Sequence, residues 1–414
     1  MRFLTFALAA LFTLPVFAHG PDGSDDQEWA GVRADGREAR TAIVNLGFSI
    51  ENVKSDTAYG FAPSHVIERL QKAGFDVTVH YPVNQIRAFD FPRDDGIYHN
   101  YDRMNQELDA LVAAHPGVGR KFSIGKSGEG RDIVGVRITT AAKDGLTPTA
   151  LPGAVFMGGH HAREHLSVEV PLLLAKYLAE STDAAVKKLL DTRDIFIIPM
   201  INPDGAEFDI STGDYQMWRK NRAKNNGASC QGVDINRNYG YEWGTGGSSN
   251  DACSDVFMGP KPFSEPESLA VKRFVESHLN LKVLLTFHTY SELVLYPWGH
   301  TNDPIPNAGD LATFEKMAKT MAGWNGYTPE PTHDLYIASG DTTDWAYGTL
   351  GIFAFTFEMS PSQDSFGGGG FYPGPAEIQH SFNANLKPAL YLIDLADNPH
   401  RAVVAPETTL FYGQ

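Results

Sequence analysis

Three histidines and a glutamate crowd into one hexapeptide, His160-His161-Ala162-Arg163-Glu164-His165. A His and a Glu three positions apart point the same way from a helical turn, so both can reach one metal ion. Three pairings suit such a site: His161 with Glu164, His160 with Glu164, and His161 with His165. A catalytic zinc needs a third protein ligand and keeps its fourth position for water. His288, at the end of the apolar run 283–287, is the candidate third ligand, reached only through tertiary structure.

Other residues suit the chemistry such a centre performs. Glu358 closes a second apolar run, 353–357. Burial there raises a carboxyl pKa and a nearby cation lowers it, which suits a general base. Asp234-Ile235-Asn236-Arg237-Asn238 follows Trp218-Arg219-Lys220. The planar fork of Arg237 with Asn236 can hold a free carboxylate, and a second arginine can stabilise an oxyanion. Each residue alone is commonplace at a strand end or surface; their joint occurrence carries the reading.

The elements that must position these groups alternate regularly. Helical periodicity runs over 101–114, 166–180, 265–279, 312–324 and 377–396, and short apolar runs occupy 135–139, 154–157, 195–200, 283–287 and 353–357. Runs apolar throughout are strands buried on both faces, which predicts a mixed, mostly parallel twisted α/β sheet covered by helices on both sides. The functional candidates cluster where those strands end, as ligand sites do in such sheets. Ahead of this block, 41–50 reads as a strand, 64–73 as an amphipathic helix and 75–81 as a strand. That small α+β unit leads into an Arg-containing connection, 85–93, open to proteolysis, and so reads as a removable pro-segment. Residues 19–36 are polar and read as a flexible lead-in, 367–370 as a glycine loop and 399–414 as a tail.

Of 414 residues, 42% are hydrophobic and 20% charged, the balance of a globular protein. The net charge of −16, with no basic run, argues against nucleic-acid binding. Met1 and Arg2 precede an apolar stretch, 3–17, and Val16-Phe17-Ala18 has the small residues of a signal-peptidase site. Cleavage is expected after Ala18. The stretch is too short to span a membrane and Pro15 interrupts it. The expected divisions are therefore 1–18 signal peptide, 19–89 pro-segment, 90–398 catalytic domain and 399–414 tail. Export would let Cys230 and Cys253 form a disulfide.

His161-x-x-Glu164, Trp218-Arg219-Lys220, Asp234-Ile235-Asn236-Arg237-Asn238, His288-Thr289-Tyr290-Ser291, Tyr336 and Phe357-Glu358 together resemble the zinc carboxypeptidases typified by the pancreatic A and B enzymes. Phe122-Ser123-Ile124-Gly125-Lys126-Ser127 and Thr286-Phe287-His288-Thr289-Tyr290-Ser291-Glu292-Leu293 resemble the secreted bacterial T branch. The resemblance spans residues 90–397. It implies one Zn2+ per chain held by His161, Glu164 and His288, with Asp234 orienting His161. It makes Glu358 the catalytic base, Arg219 the oxyanion partner and Arg163 an aid at the carbonyl. Asn236, Arg237 and Tyr336 match the groups that grip the terminal carboxylate, and Cys230 matches a partner for Cys253.

By the same likeness Leu295, Asp341 and Thr343 wall the side-chain pocket. Basic-specific relatives place an Asp where Thr343 stands, and the T branch has one matching Asp341, so removal of hydrophobic residues with tolerance for Lys and Arg is expected. The T branch binds calcium through an acidic loop; the matching stretch, 141–152, holds only Asp144, which argues against calcium there. Expected partners are peptide or protein C-termini, without nucleic acid or membrane, for a secreted monomer made as a zymogen. A related zinc amidase would share the metal ligands but need not keep Arg237 with Tyr336. A non-catalytic binding module would typically lose the metal set or the base.

Overall fold

The computed structural model describes residues 27–82, 98–213, 215–225, 227–362 and 368–404. The expected leader with its cleavage point, the connection at 85–93 and the last ten residues lie outside the described residues.

Residues 27–82 form an antiparallel sheet of β1 (Gln27–Arg33), β2 (Ser49–Lys54), β3 (Thr57–Pro63) and β4 (Val77–Pro82), in the order β2-β3-β1-β4. Two expectations fail here. The stretch expected to be a flexible lead-in contains β1, an inner strand whose Ala30 and Val32 enter an apolar cluster while Trp29, on the other face, packs with Phe61. The expected strand 41–50 is instead the helix Gly36–Asn45 followed by β2. Its β-branched residues mimic a strand, yet Ala39 and Ile43 lie one turn apart against the same cluster.

From residue 98 onward a second sheet is built from β5 (Gly119–Lys126), β6 (Asp132–Ile138), β7 (Gly153–Met157), β8 (Asp194–Ile198), β9 (Leu281–Ser291), β10 (Leu293–Tyr296), β11 (Thr328–Pro331) and β12 (Phe353–Ser362). Its order is β11-β10-β12-β9-β7-β8-β6-β5. The four central strands β12, β9, β7 and β8 run parallel, and antiparallel pairs flank them. This is the mixed α/β sheet expected from the continuous apolar runs. Along β7, Ala154 and Phe156 enter one core cluster while Val155 and Met157 enter another. The helices Tyr101–Ala114, Leu166–Glu180, Ala308–Asn325 and Pro375–Leu395 cover the first face, and Pro266–Ser277 and Thr342–Leu350 the second. Both clusters consist wholly of residues from 98 on, so this unit folds around its own core.

Two smaller expectations also change. Gly368–Phe371 forms a helical turn rather than part of an open loop. Arg401–Val404, expected in a loose tail, is another turn, held by Arg401 on Asp394 and Asp397.

The two units meet along the C-terminal ends of the central strands. Arg40 donates to the carbonyls of Leu335 (2.5 Å) and Asp334 (3.0 Å), and Arg69 and His65 both meet Asp251. Val256, Tyr336 and Ala338 complete the apolar cluster of the N-terminal unit. That placement lays β2 over the candidate site.

Candidate active site

β7 ends at Met157, and the chain turns through Gly158 and Gly159 into the histidine-rich loop. A Cβ on Gly158 would lie 1.9 Å from the Ser167 carbonyl, and Gly159 sits at φ +61°. Only glycines fit that close approach and left-handed turn. The loop then closes a turn in which Glu164 N–H donates to the His161 carbonyl, 3.2 Å, placing both side chains together.

Of the three pairings the spacing allowed, the structure selects one. His161 Nδ1 lies 2.6 Å from Glu164 Oε1, and His288 Nδ1 lies 3.0 Å from Glu164 Oε2 and 3.2 Å from His161 Nδ1. His160 points elsewhere, to Tyr239 and Thr286, and His165 pairs with Asp209. Three donor atoms, from His161, Glu164 and His288, lie within 4.8 Å of one another and are buried. Asp234 accepts from His161 Nε2 at 3.2 Å, which leaves the Nδ1 lone pair free for a metal. Two imidazole nitrogens and a carboxylate converging on one point fit the His2Glu set of a catalytic zinc.

Electrostatics supports the cluster. Burial opposes ionisation of Glu164, but His161 and His288 outweigh it and hold the carboxyl well below the usual range. Asp234 is likewise held low against burial, chiefly by Arg219, whose Nε and Nη2 grip it at 3.1 and 3.0 Å. That grip leaves Arg219 Nη1 3.9 Å from Glu164.

Glu358 stands in register with His288 across the β9–β12 pair and lines the same cleft. Burial first, then the charge of Glu164, pushes its carboxyl well above the usual range. Neither His288 nor Glu358 lies at the strand end expected: β9 runs on from His288 to Ser291, and β12 runs on from Glu358 to Ser362. Arg237 Nη2 donates to Tyr336 Oη at 3.1 Å, and Asn236 accepts from Thr342 N–H and Oγ1 at 3.0 and 2.8 Å. Leu295, Asp341 and Thr343 line the same cleft. Asp341 caps the helix Thr342–Leu350, its Oδ1 accepting from Thr343 N–H, Thr343 Oγ1 and Asp344 N–H. Its Oδ2 is buried with no partner among the described residues. Burial and the neighbouring Asp344 push this carboxyl up to about 7. Cys230 and Cys253 are disulfide-bonded and bracket the segment carrying Asp234, Asn236 and Arg237.

A family model described as zinc carboxypeptidase matches residues 104–387, well over half of the chain. The chain belongs to the zinc carboxypeptidase family. It is a metallocarboxypeptidase, a zinc-dependent hydrolase of peptide bonds. A zinc carboxypeptidase of Saccharothrix mutabilis subsp. capreolus is 35% identical over 367 residues, covering 83% of this chain and 82% of the relative. Carboxypeptidase A2 of Mus musculus is 36% identical over 329 residues, covering 77% and 76%. The crystal structure of carboxypeptidase A from Helicoverpa armigera superposes with a TM-score of 0.73 at 24% identity, over 93% of this chain and all of that one. This last likeness shows the fold.

Some residues at this carboxypeptidase site escape sequence reasoning. Glu51 of β2 reaches into the cleft and binds Arg163 Nη2 at 2.6 Å. Asp255 holds Arg163 Nη1 at 2.9 Å, so this arginine, expected beside the scissile carbonyl, is committed to two carboxylates. Thr332 and Thr356 also line the cleft. No local pattern marks any of them; the alternation along β12 is the only hint for Thr356.

Proposed function

We propose that this carboxypeptidase is exported as a zymogen and removes single residues, hydrophobic or basic, from peptide C-termini. The observation that carries the exopeptidase reading is the Arg237–Tyr336 pair, 3.1 Å apart, in the cleft that His161 and Glu164 of the metal cluster also line. A guanidinium placed there selects a free terminal carboxylate, which an internal peptide bond lacks. It also argues against the amidase reading, and Glu358 beside a full ligand set against a binding module.

His161, Glu164 and His288 would hold the zinc, which when bound polarises a carbonyl and lowers the pKa of water. Asn236, Arg237 and Tyr336 grip the terminal carboxylate and set the scissile bond beside Glu358. Glu358 takes the proton of the attacking water and passes it to the leaving amine. A carboxyl pushed upward by burial is matched to that shuttle. Asp234 holds Arg219 through Nε and Nη2, and Nη1, 3.9 Å from both Glu51 and Glu164, is the group that donates to the developing oxyanion.

Leu295 and Thr343 offer apolar contact to the released side chain, and the unpaired Oδ2 of Asp341 offers a partner to Lys or Arg. Latency is supported by β2, whose Ile50 to Val53 line the cleft a substrate must enter. Residues 19–89 are thus read as the pro-segment, and export is supported by the N-terminal apolar stretch together with the disulfide. The acting form is read as a monomer, and no helix among the described residues is long and apolar enough to cross a membrane.

The test is C-terminal release from peptides ending in Phe, Leu, Lys, Arg or Glu, with amide-capped controls, before and after cleavage of the connection at 85–93. The expected result is chelator-sensitive release of one residue at a time, fastest after cleavage. Equal cleavage of amide-capped peptides, or insensitivity to chelator, would refute the reading.

A further inference from the structure

Gly299 and His300 follow β10 and are held on Asp344, a residue of the helix that Asp341 caps. The Asp344 side chain is unexposed, and its partners are N–H donors. Gly299 N–H reaches Oδ1 and Oδ2 at 2.9 and 3.0 Å, and His300 N–H and Nδ1 reach Oδ2 at 2.9 and 2.7 Å. Facing a carboxylate, Nδ1 carries the proton and donates. The imidazole stands edge-on to Trp298 and Tyr241, 5.0 and 5.4 Å between centroids. Of its side chain 14% stays exposed, enough to exchange a proton with solvent. No step of the chemistry above uses this pair.

The pair borders the side-chain pocket. Asp344 N–H donates to Asp341 Oδ1 at 2.9 Å, and a Cβ on Gly299 would lie 3.3 Å from Asp341 Oδ2. The backbone that carries His300 therefore passes directly beside the pocket's unpaired oxygen. Two carboxylates this close resist ionising together, and a cation on one relieves the other. Besides burial, Asp344 and Arg237 act on Asp341, and Tyr239 faces it. Burial opposes the His300 proton, but the Asp344 bond and the charges of Asp344, Asp341 and Glu242 outweigh it and hold the ring above the usual histidine range. Tyr241 is the other titratable group against this ring. Since ionised Asp341 favours the imidazolium, the imidazolium favours ionised Asp341 by the same free energy.

The structure assigns His300 as a positioning residue for specificity: its positive charge, set against Asp344, lets Asp341 ionise at lower pH and so extends the pocket's acceptance of Lys and Arg downward in pH. This rests on the reading of Asp341 as the pocket's acid proposed above. His300 does not line the cleft, so it acts on the substrate only through the two carboxylates. Without its charge, Asp344 holds Asp341 neutral, and the pocket suited to apolar side chains, up to a higher pH.

The test is the pH profile of the kcat/KM ratio for peptides ending in Lys over those ending in Phe, in wild type and His300→Asn, each cut in the 85–93 connection. Asn can donate the same bond to Asp344 but carries no charge. The midpoint of the rise is expected to move up by about one pH unit, the scale on which a neighbouring charge moves a carboxyl. A merely structural loss would lower both rates and leave the midpoint in place. The reciprocal measurement needs no His300 variant: NMR titration of the His300 ring should give a lower pKa in Asp341→Asn than in wild type, by a comparable shift. A midpoint unmoved or moved down in His300→Asn, or a His300 pKa unchanged in Asp341→Asn, overturns the proposal. Should His300→Asn fail to fold, the NMR titration decides alone. A wild-type ratio flat in pH, with chelator-sensitive release of Phe intact, refutes Asp341 as the pocket's acid, and the specificity role falls with it. The NMR coupling is read without substrate and so tells the two failures apart.

Discussion

Asp341→Asn separates the pocket's charge from its shape. Asn caps helices as well as Asp does, and Oδ1 can still accept from Thr343 and Asp344, so the helix Thr342–Leu350 should keep its start. What changes is Oδ2, the buried oxygen without a partner, which becomes an amide NH2. Truncating one side of a buried, hydrogen-bonded charge pair costs about 2–5 kcal/mol, so kcat/KM for a C-terminal Lys should fall about 30-fold to a few thousand-fold. A C-terminal Phe, which asks nothing of Oδ2, should change less than about threefold on the scale of surface-neutral substitutions. The wild type adds an independent check through pH. Burial and Asp344 push Asp341 up to about 7, so its carboxyl is neutral below that pH and charged above it. Only the charged form attracts an ammonium, so the Lys/Phe ratio should rise as pH increases through 7 and lie flat in Asp341→Asn. Glu358 serves both substrates and cancels in the ratio. A Lys/Phe ratio unmoved by the substitution, or one that falls with rising pH, would refute the assignment of this oxygen.

Three further outcomes follow from single contacts. Glu358→Gln should lower kcat by about 10²–10⁴-fold, the usual worth of general acid–base catalysis, while metal content measured by elemental analysis stays at the wild-type level. Asp234→Asn weakens the orientation of both His161 and Arg219, and a competition titration with a chelator should show zinc affinity about 10–100-fold lower. Arg137 forms a buried bidentate pair with Asp194, both bonds 2.7 Å and both side chains unexposed; Arg137→Met strands that carboxylate and should cost about 3–5 kcal/mol by urea unfolding.

The catalytic unit was legible because its physics is local. Strands buried on both faces must be apolar at every position, so β7, β8, β9 and β12 appear in the sequence as runs, and the ionisable residues at or near their ends stand out against them. The loop spacing alone left three ligand pairings open. Asp209, which takes His165, and Tyr239 and Thr286, which take His160, are tertiary neighbours that no spacing rule supplies. The N-terminal unit read poorly for the opposite reason. Only a short stripe of Gly36–Asn45 is apolar, and β1 shows Trp29, Ala30 and Val32 among polar and glycine residues. Neither pattern is long enough for its period to be distinguished.

Glu51 shows where such reading stops. On a sheet one expects a charged residue to face water, and in sequence Glu51 alternates with Ile50 and Asn52 as a solvent-facing residue would. Its partner Arg163 is 112 residues away, in a loop whose own signal was the metal motif. An ionised carboxylate survives burial only where fixed cations outweigh desolvation, and here Arg163 and Arg219 hold it below the usual range against burial. The meaning of that acid therefore resides in the cleft and not in β2.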